Sequence, residues 1–280
     1  MKRFVLGFLF SVLCCATFAQ GSRTYVSLPA KKWGVALGNA KNYTGLRLNF
    51  KDWETVKLNG INVQLWSKPH SFFYDLDSVR YQNARNNGLQ IGIIQSSTVE
   101  TNGISWGTFL NSDRRARGLS MALGFNTGGR ERYGVSYGTF TLRASRIAGV
   151  GLSGCYISGD TLSGLLVSGV SITGTAIKHI QQVNGVAIAV AQSEAYEVNG
   201  VMIGGLWAAA VKLEGVMIGG YNKTASTFGV QIGLFNSSNQ LHGMQFGLLN
   251  RARNVPRWRR VFPIVNWNFR RERNITPSPL

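Results

Sequence analysis

Along most of this chain a glycine is followed by a short run in which apolar residues alternate with small or polar ones. The glycines stand at Gly45, Gly60, Gly88, Gly103, Gly118, Gly134, Gly149, Gly164, Gly185, Gly200, Gly215, Gly229 and Gly243. Ten of the twelve intervals are 14 to 16 residues, one is 28 and one is 21. A fixed short period means one supersecondary unit laid down many times, so it decides the architecture before any local feature does.

Aligned on the glycine, the units read GLQIGII from Gly88, GVAIAVA from Gly185, GVMIGGL from Gly200, GVMIGGY from Gly215, GVQIGLF from Gly229 and GMQFGLL from Gly243. Apolar residues one and three places after the glycine share a face, and small or polar residues such as Gln90, Ala187 and Gln231 fall on the other. This two-residue period predicts a strand with one buried face. Hydrophobicity places the aliphatic face inside, so that Ile203, Ile218 and Ile232 form one dry ladder and Met217 points outward. An apolar residue also recurs two places before the glycine, at Val183, Val198, Leu213 and Leu241. Polar tracts at the end of each strand, among them NSSNQ from Asn236, NKTAS from Asn222, NRARN from Asn250 and NSDRR from Asn111, predict turns. Asn-Gly at Asn184-Gly185 and Asn199-Gly200 predicts a second corner, because both residue types tolerate positive φ.

Two all-β architectures fit. In a β-solenoid each unit is one coil and like residues stack at about 4.8 Å along the axis. In an outer-membrane β-barrel each unit is a strand and a turn, its faces directed to lipid and lumen. The solenoid is the favoured reading, since barrels alternate short turns with long loops and these connections are nearly uniform. Either way no unit buries enough surface to fold alone, and the ends of the array need caps.

Outside the repeats, residues 1–19 read as a signal peptide, with Lys2 and Arg3 before an apolar stretch and Ala19 ahead of a cleavage point at Gln20. Cys14 and Cys15 lie in that segment without the small residues that usually precede a lipidated cysteine. The mature chain keeps only Cys155, so no intramolecular disulfide is expected. No later segment is long and apolar enough for a transmembrane helix. Residues 20–44 read as an N-terminal cap, 45–255 as the repeat array with an insertion at about 68–87, and 256–280 as an Arg-rich C-terminal cap and tail.

The chain carries 30 Lys and Arg against 12 Asp and Glu, a formal charge of +18. The densest basic cluster is Arg251, Arg253, Arg257, Arg259, Arg260, Arg270, Arg271 and Arg273, interleaved with Trp258, Phe262, Trp267 and Phe269. In a cytosolic protein this pattern would indicate nucleic acid. In an exported one the expected partners are anionic envelope lipids or lipopolysaccharide, because the guanidinium fork matches phosphate oxygens. No nucleic acid is expected.

Catalytic motifs are weak. Gly103-Ile104-Ser105-Trp106-Gly107 and Gly134-Val135-Ser136-Tyr137-Gly138 match the G-x-S-x-G pattern, which in hydrolases marks a strand-to-helix elbow. Here both serines sit two places after a repeat glycine, like Ser120, and read as a small polar ladder on the outward face. His70, His179 and His242 match no zinc spacing, and His242 reads as a corner residue standing where other units have Asn. Asp75 with Asp77, and Glu194 with Glu197, are the paired acids, and nothing in the sequence brings the pairs together. No catalytic, cofactor-binding or metal-binding residue is assigned.

The opening YTGLRLNFKDWETVKLNGINVQLW (Tyr43 to Trp66), the Asn-Gly repeat units and the close from Gly229 to Phe269 resemble a family of exported surface-repeat proteins of Gram-negative bacteria, of the spirochaete and Bacteroidota type. The resemblance spans roughly residues 43–269. It implies a location in the outer membrane, on the cell surface or in the periplasm, and no reaction. The expected role is a non-enzymatic structural, adhesion or binding scaffold that takes lipids or surface ligands. An outer-membrane barrel acting as pore or anchor is the alternative.

Overall fold

The computed structural model describes residues 25–52, 56–67, 84–174 and 180–270. The chain winds as a β-solenoid. After a hairpin of β1 (Tyr25–Ala30) and β2 (Trp33–Gly38), the long side of successive coils is built from β3 (Asn42–Asp52), β4 (Lys57–Ser67), β5 (Arg85–Gly92), β6 (Gln95–Gly107) and β7 (Leu110–Ala122). In the next coils the long and short sides separate. The long strands are β9 (Glu131–Gly138), β11 (Arg146–Ser153), β13 (Thr161–Ser168) and β15 (Gln182–Ala189), and the short ones β8 (Phe125–Thr127), β10 (Thr141–Arg143), β12 (Tyr156–Ser158) and β14 (Ser171–Thr173). Extended structure then runs unbroken round the corners in β16 (Gln192–Ala252), and β17 (Val261–Asn268) closes the array.

Neighbouring coils pair in parallel and in register, glycine on glycine. The column runs Gly34, Gly45, Gly60, Gly88, Gly103, Gly118, Gly134, Gly149, Gly164, Gly185 and Gly200. Parallel winding about one axis excludes the barrel, whose neighbouring strands are antiparallel, and the pore or anchor built on it is withdrawn. Gly34 belongs to the same column as the repeat glycines, so β2 already stacks as part of a coil. At the two ends the pairing turns antiparallel, β1 on β2 and β17 on β16.

The faces are the reverse of the expectation. Met202, Met217, Ala187, Gln231 and Gln245, two places after their glycines, are buried, whereas Ile203 and Ile218 are half-buried and Ile232 is exposed. The cause is the width of the coil. At the fourth position the long side meets the short side so closely that a Cβ on Gly138 would overlap the Thr141 carbonyl, and one on Gly204 the Trp207 carbonyl. From Gly92 onward that fourth position holds only Gly, Ala or Ser, and the aliphatic residues one and three places after the glycine are left on the outer surface, where they stack on the sheet. The residues two places before the glycine, Val183, Val198, Leu213 and Leu241, do lie inside as the sequence indicates.

Three of the four polar tracts are not solvated turns either, and only the one from Asn250 bends, after Ala252. Asn236 and Ser238, Asn222 and Thr224, and Asn111 and Asp113 are buried strand residues on the short side. Asn222 Nδ2 donates to Asn236 Oδ1 at 2.7 Å, and Asn236 Nδ2 to Asn250 Oδ1 at 2.8 Å. Stacked amides of this kind satisfy each other from coil to coil and fix the register. The interior therefore has three zones. An apolar middle runs from Leu142 to Met217. Polar zones flank it, one containing Arg47, Gln90, Ser105 and Asp113, the other Asn222, Gln231, Asn236 and Gln245.

Candidate interaction surface

The motifs that suggested chemistry are locked inside. Ser105 and Ser136 are buried on the inner face, not on the outer one, and a parallel strand follows each in place of a helix. The Ser105 hydroxyl lies 2.7 Å from Asp113 Oδ2 and 3.0 Å from Asn111 Oδ1. Burial pushes the Asp113 carboxyl up from its ordinary range, opposed by the nearby Arg132 charge and by the hydrogen bond from Ser105. Desolvation brings Arg132 down to about 10, opposed by Asp113. The two groups act on each other through space, and Arg132 Nη1 donates instead to the Ser120 hydroxyl. Arg47 and Asp52 form a direct buried pair, with Nη1 to Oδ2 at 3.0 Å and Nη2 to Oδ1 at 3.1 Å, and losing either partner would strand the other.

His242 stands in the row that holds Asn in other units, but on the outer face of a continuous strand and not at a corner. Its ring stacks on Phe228 with centroids 4.7 Å apart, and Nδ1 lies 2.8 Å from the Arg270 carbonyl. In the same row Asn102 donates to Asn87 and Asn87 to Asn59, each at 2.9 Å, so the Asn of Asn-Gly serves as an outer ladder. Glu197 accepts from Lys212 at 3.0 Å. His70, His179, Asp75, Asp77, residues 1–19 that read as a signal peptide, Arg271 and Arg273 lie outside the described residues. Among the described residues no group of His, Cys, Asp or Glu is placed to hold a metal, and no helix is long and apolar enough to cross a membrane.

What remains accessible is the outer surface of the long side. One place after the glycine, Ile61, Leu89, Ile104, Leu119, Val135, Val150 and Leu165 stack in one row. A second row three places after the glycine contains Val63, Ile91, Trp106, Met121, Tyr137 and Leu152. The corner beyond adds aromatic contacts, Phe109 to Phe125 at 5.7 Å, Phe125 to Phe140 at 5.5 Å and Trp207 to Tyr221 at 4.8 Å. Beside the stripe, upstream cations are matched by acids: Arg85 and Arg117 both reach Glu100 at 3.1 Å, and Arg115 reaches Glu131 at 2.9 Å.

At the C-terminal end this stripe meets the predicted basic cluster. A 3-10 turn, Arg257–Arg259, leads into β17. Arg251, Arg253, Arg257, Arg260 and Arg270 are exposed and Arg259 is half-buried. The Arg259 guanidinium lies 4.8 Å from the centre of the Trp267 ring and 5.3 Å from that of Trp258. In β17 the buried Asn266 and Asn268 continue the inner face, so Val265 and Trp267 fall on the outer one, paired with Phe246 and Met244. The cluster was legible from composition. Its continuity with the apolar stripe was not, because the reversal into an antiparallel β17 is what aligns Trp267 with the repeat rows.

The chain matches no protein-family model, no curated protein and no solved structure.

Proposed function

We propose that this chain is an exported, non-enzymatic scaffold of a Gram-negative cell envelope, whose basic C-terminal end holds anionic phosphate groups of lipid or lipopolysaccharide. The observation that carries the reading is the charge of the last coils and cap. From Gly215 to Arg270 the sequence has seven Lys and Arg and no Asp or Glu. Upstream, Arg85, Arg115 and Arg117 are paired with acids on the neighbouring coil, whereas the last segment contains no acid to pair with. Arg259, whose guanidinium lies against two indoles, has no acid partner in the segment, an arrangement suited to pairing its N–H fork with phosphate oxygens. Support for export comes from the signal-like residues 1–19 and from the resemblance to surface-repeat proteins. A solenoid suits the role because its rows present one chemistry repeatedly along a rigid axis.

Replacing Arg257, Arg259 and Arg260 together by Gln is expected to weaken binding to lipopolysaccharide and to phosphatidylglycerol vesicles by roughly tenfold or more at low salt. The difference should shrink as added salt screens the charges. Titration by light scattering or sedimentation reads it directly, and equal binding of parent and variant at low salt would refute the phosphate reading.

A further inference from the structure

The last coils expose more than charge. Leu234, Phe235, Leu248 and Leu249 occupy equivalent corner positions on adjacent coils, and Leu248 is 64% exposed. Coils stack at about 4.8 Å, so these side chains make a continuous ridge rather than scattered apolar points. The ridge passes into Ile264, which is 76% exposed and held at a φ of 66° opposite Gly247. A β-branched residue in the left-handed region is strained, and here the strain accompanies an apolar side chain held out toward solvent.

We infer that this ridge and the Arg–Trp cap it runs into form one docking surface for an anionic lipid bilayer, with the ridge seated at the boundary between headgroups and acyl chains. The inference rests on the phosphate-binding reading above and adds an apolar contact to it. Two observations select a bilayer over a second copy of the chain. The first is charge: a second copy would bring another segment of seven cations and no acids against the first, while anionic headgroups complement it. The second is residue type at the margin. Trp258, 72% exposed, and Trp267, 39% exposed, lie against the Arg259 guanidinium on the same closing coil, each with an apolar ring body and a polar N–H suited to the membrane–water boundary. Arg259 stacked on both rings can reach phosphate while the rings stay in the apolar layer.

The test uses the full chain with vesicles of equimolar phosphatidylcholine and phosphatidylglycerol, some carrying brominated acyl chains that quench nearby tryptophans. The parent should bind, and its tryptophan fluorescence should be quenched by brominated lipid. Leu234→Glu combined with Leu248→Glu should keep the circular dichroism of the parent, lose the quenching and bind on the order of tenfold more weakly. Should that pair disturb folding, Phe235→Ser with Leu249→Ser gives the same readout with smaller polar groups. If the ridge variant binds as the parent does, the docking ridge is overturned while the phosphate reading survives. If the parent ignores anionic vesicles, both fall. If the parent is dimeric in lipid-free buffer and the ridge variant monomeric, the surface is an interface between copies and the bilayer assignment is wrong.

Discussion

Alanine at Gly215 should prevent the protein from folding into a stable solenoid. Gly215 adopts a φ of +136°, a conformation that L-residues with a Cβ avoid, and an added Cβ would overlap the carbonyl oxygen of Gly200 on the preceding coil. That oxygen is backbone in a ladder and cannot rotate aside as a side-chain tip could. The coils would have to separate, and the next glycine, Gly229, stands equally close to Gly215. Strain, clash and lost ladder bonds together should exceed about 4 kcal/mol, a large part of the usual stability of a domain. Gly220 provides the control on the same coil. It has no positive φ, and its nearest neighbour to an added Cβ is the Leu206 carbonyl at 3.0 Å, so Gly220→Ala should need only a small adjustment. Urea melts followed by circular dichroism should show a cooperative transition for parent and Gly220→Ala, and none or a much earlier one for Gly215→Ala.

The second large effect concerns which face is inside. Met217 is fully buried in the apolar zone among Met202, Leu213 and Ala208, while Ile218 is half-buried on the outer row. Met217→Asp would place a carboxylate in that zone without a cationic partner, at a cost upwards of about 4 kcal/mol. Ile218→Asp should cost about 1 kcal/mol or less, since a surface substitution loses only partial burial and β-propensity. Hydrophobic ranking alone gives the opposite order. A melt in which Ile218→Asp is the damaging change would restore the aliphatic face to the inside and contradict the structure.

That reversal shows how far the repeat pattern reaches. The period, the strands and the inward residues before each glycine follow from alternation and spacing, and they hold from Val183 to Leu241. Alternation also states that two faces differ. It does not state which one is inside, because the inner row runs from Arg47 through Ser105 to Met217 and has no uniform polarity, whereas the outer rows are aliphatic or aromatic. What decides the matter is the space between the two sides of a coil, which is set by backbone contacts such as Gly138 on Thr141. Similarly, Asn236 and Ser238 look like turn residues because amides and hydroxyls suit turns. Inside a solenoid the Asn236 amide bonds its counterpart one coil away, 14 residues along the chain, a distance that local reading does not sample. The Arg cluster needed only composition. Its union with the apolar rows needed the register of β17, where Trp267 meets Met244.

The most direct measurement is the separation of spin labels placed along one outer row. With a fixed label at Ile61→Cys and Cys155 replaced by Ser, second labels at Leu165→Cys and Val201→Cys lie six and eight steps away along the glycine column. At about 4.8 Å per step the backbone separations should be roughly 29 and 38 Å, rising in proportion to the number of coils. Pulsed electron–electron resonance resolves that increment. Distances that rise linearly with coil number establish the parallel solenoid on which the outer stripe and its basic end depend. Distances that level off or fall as the second label moves along the chain mean that the strands close into a ring, and that result would contradict it.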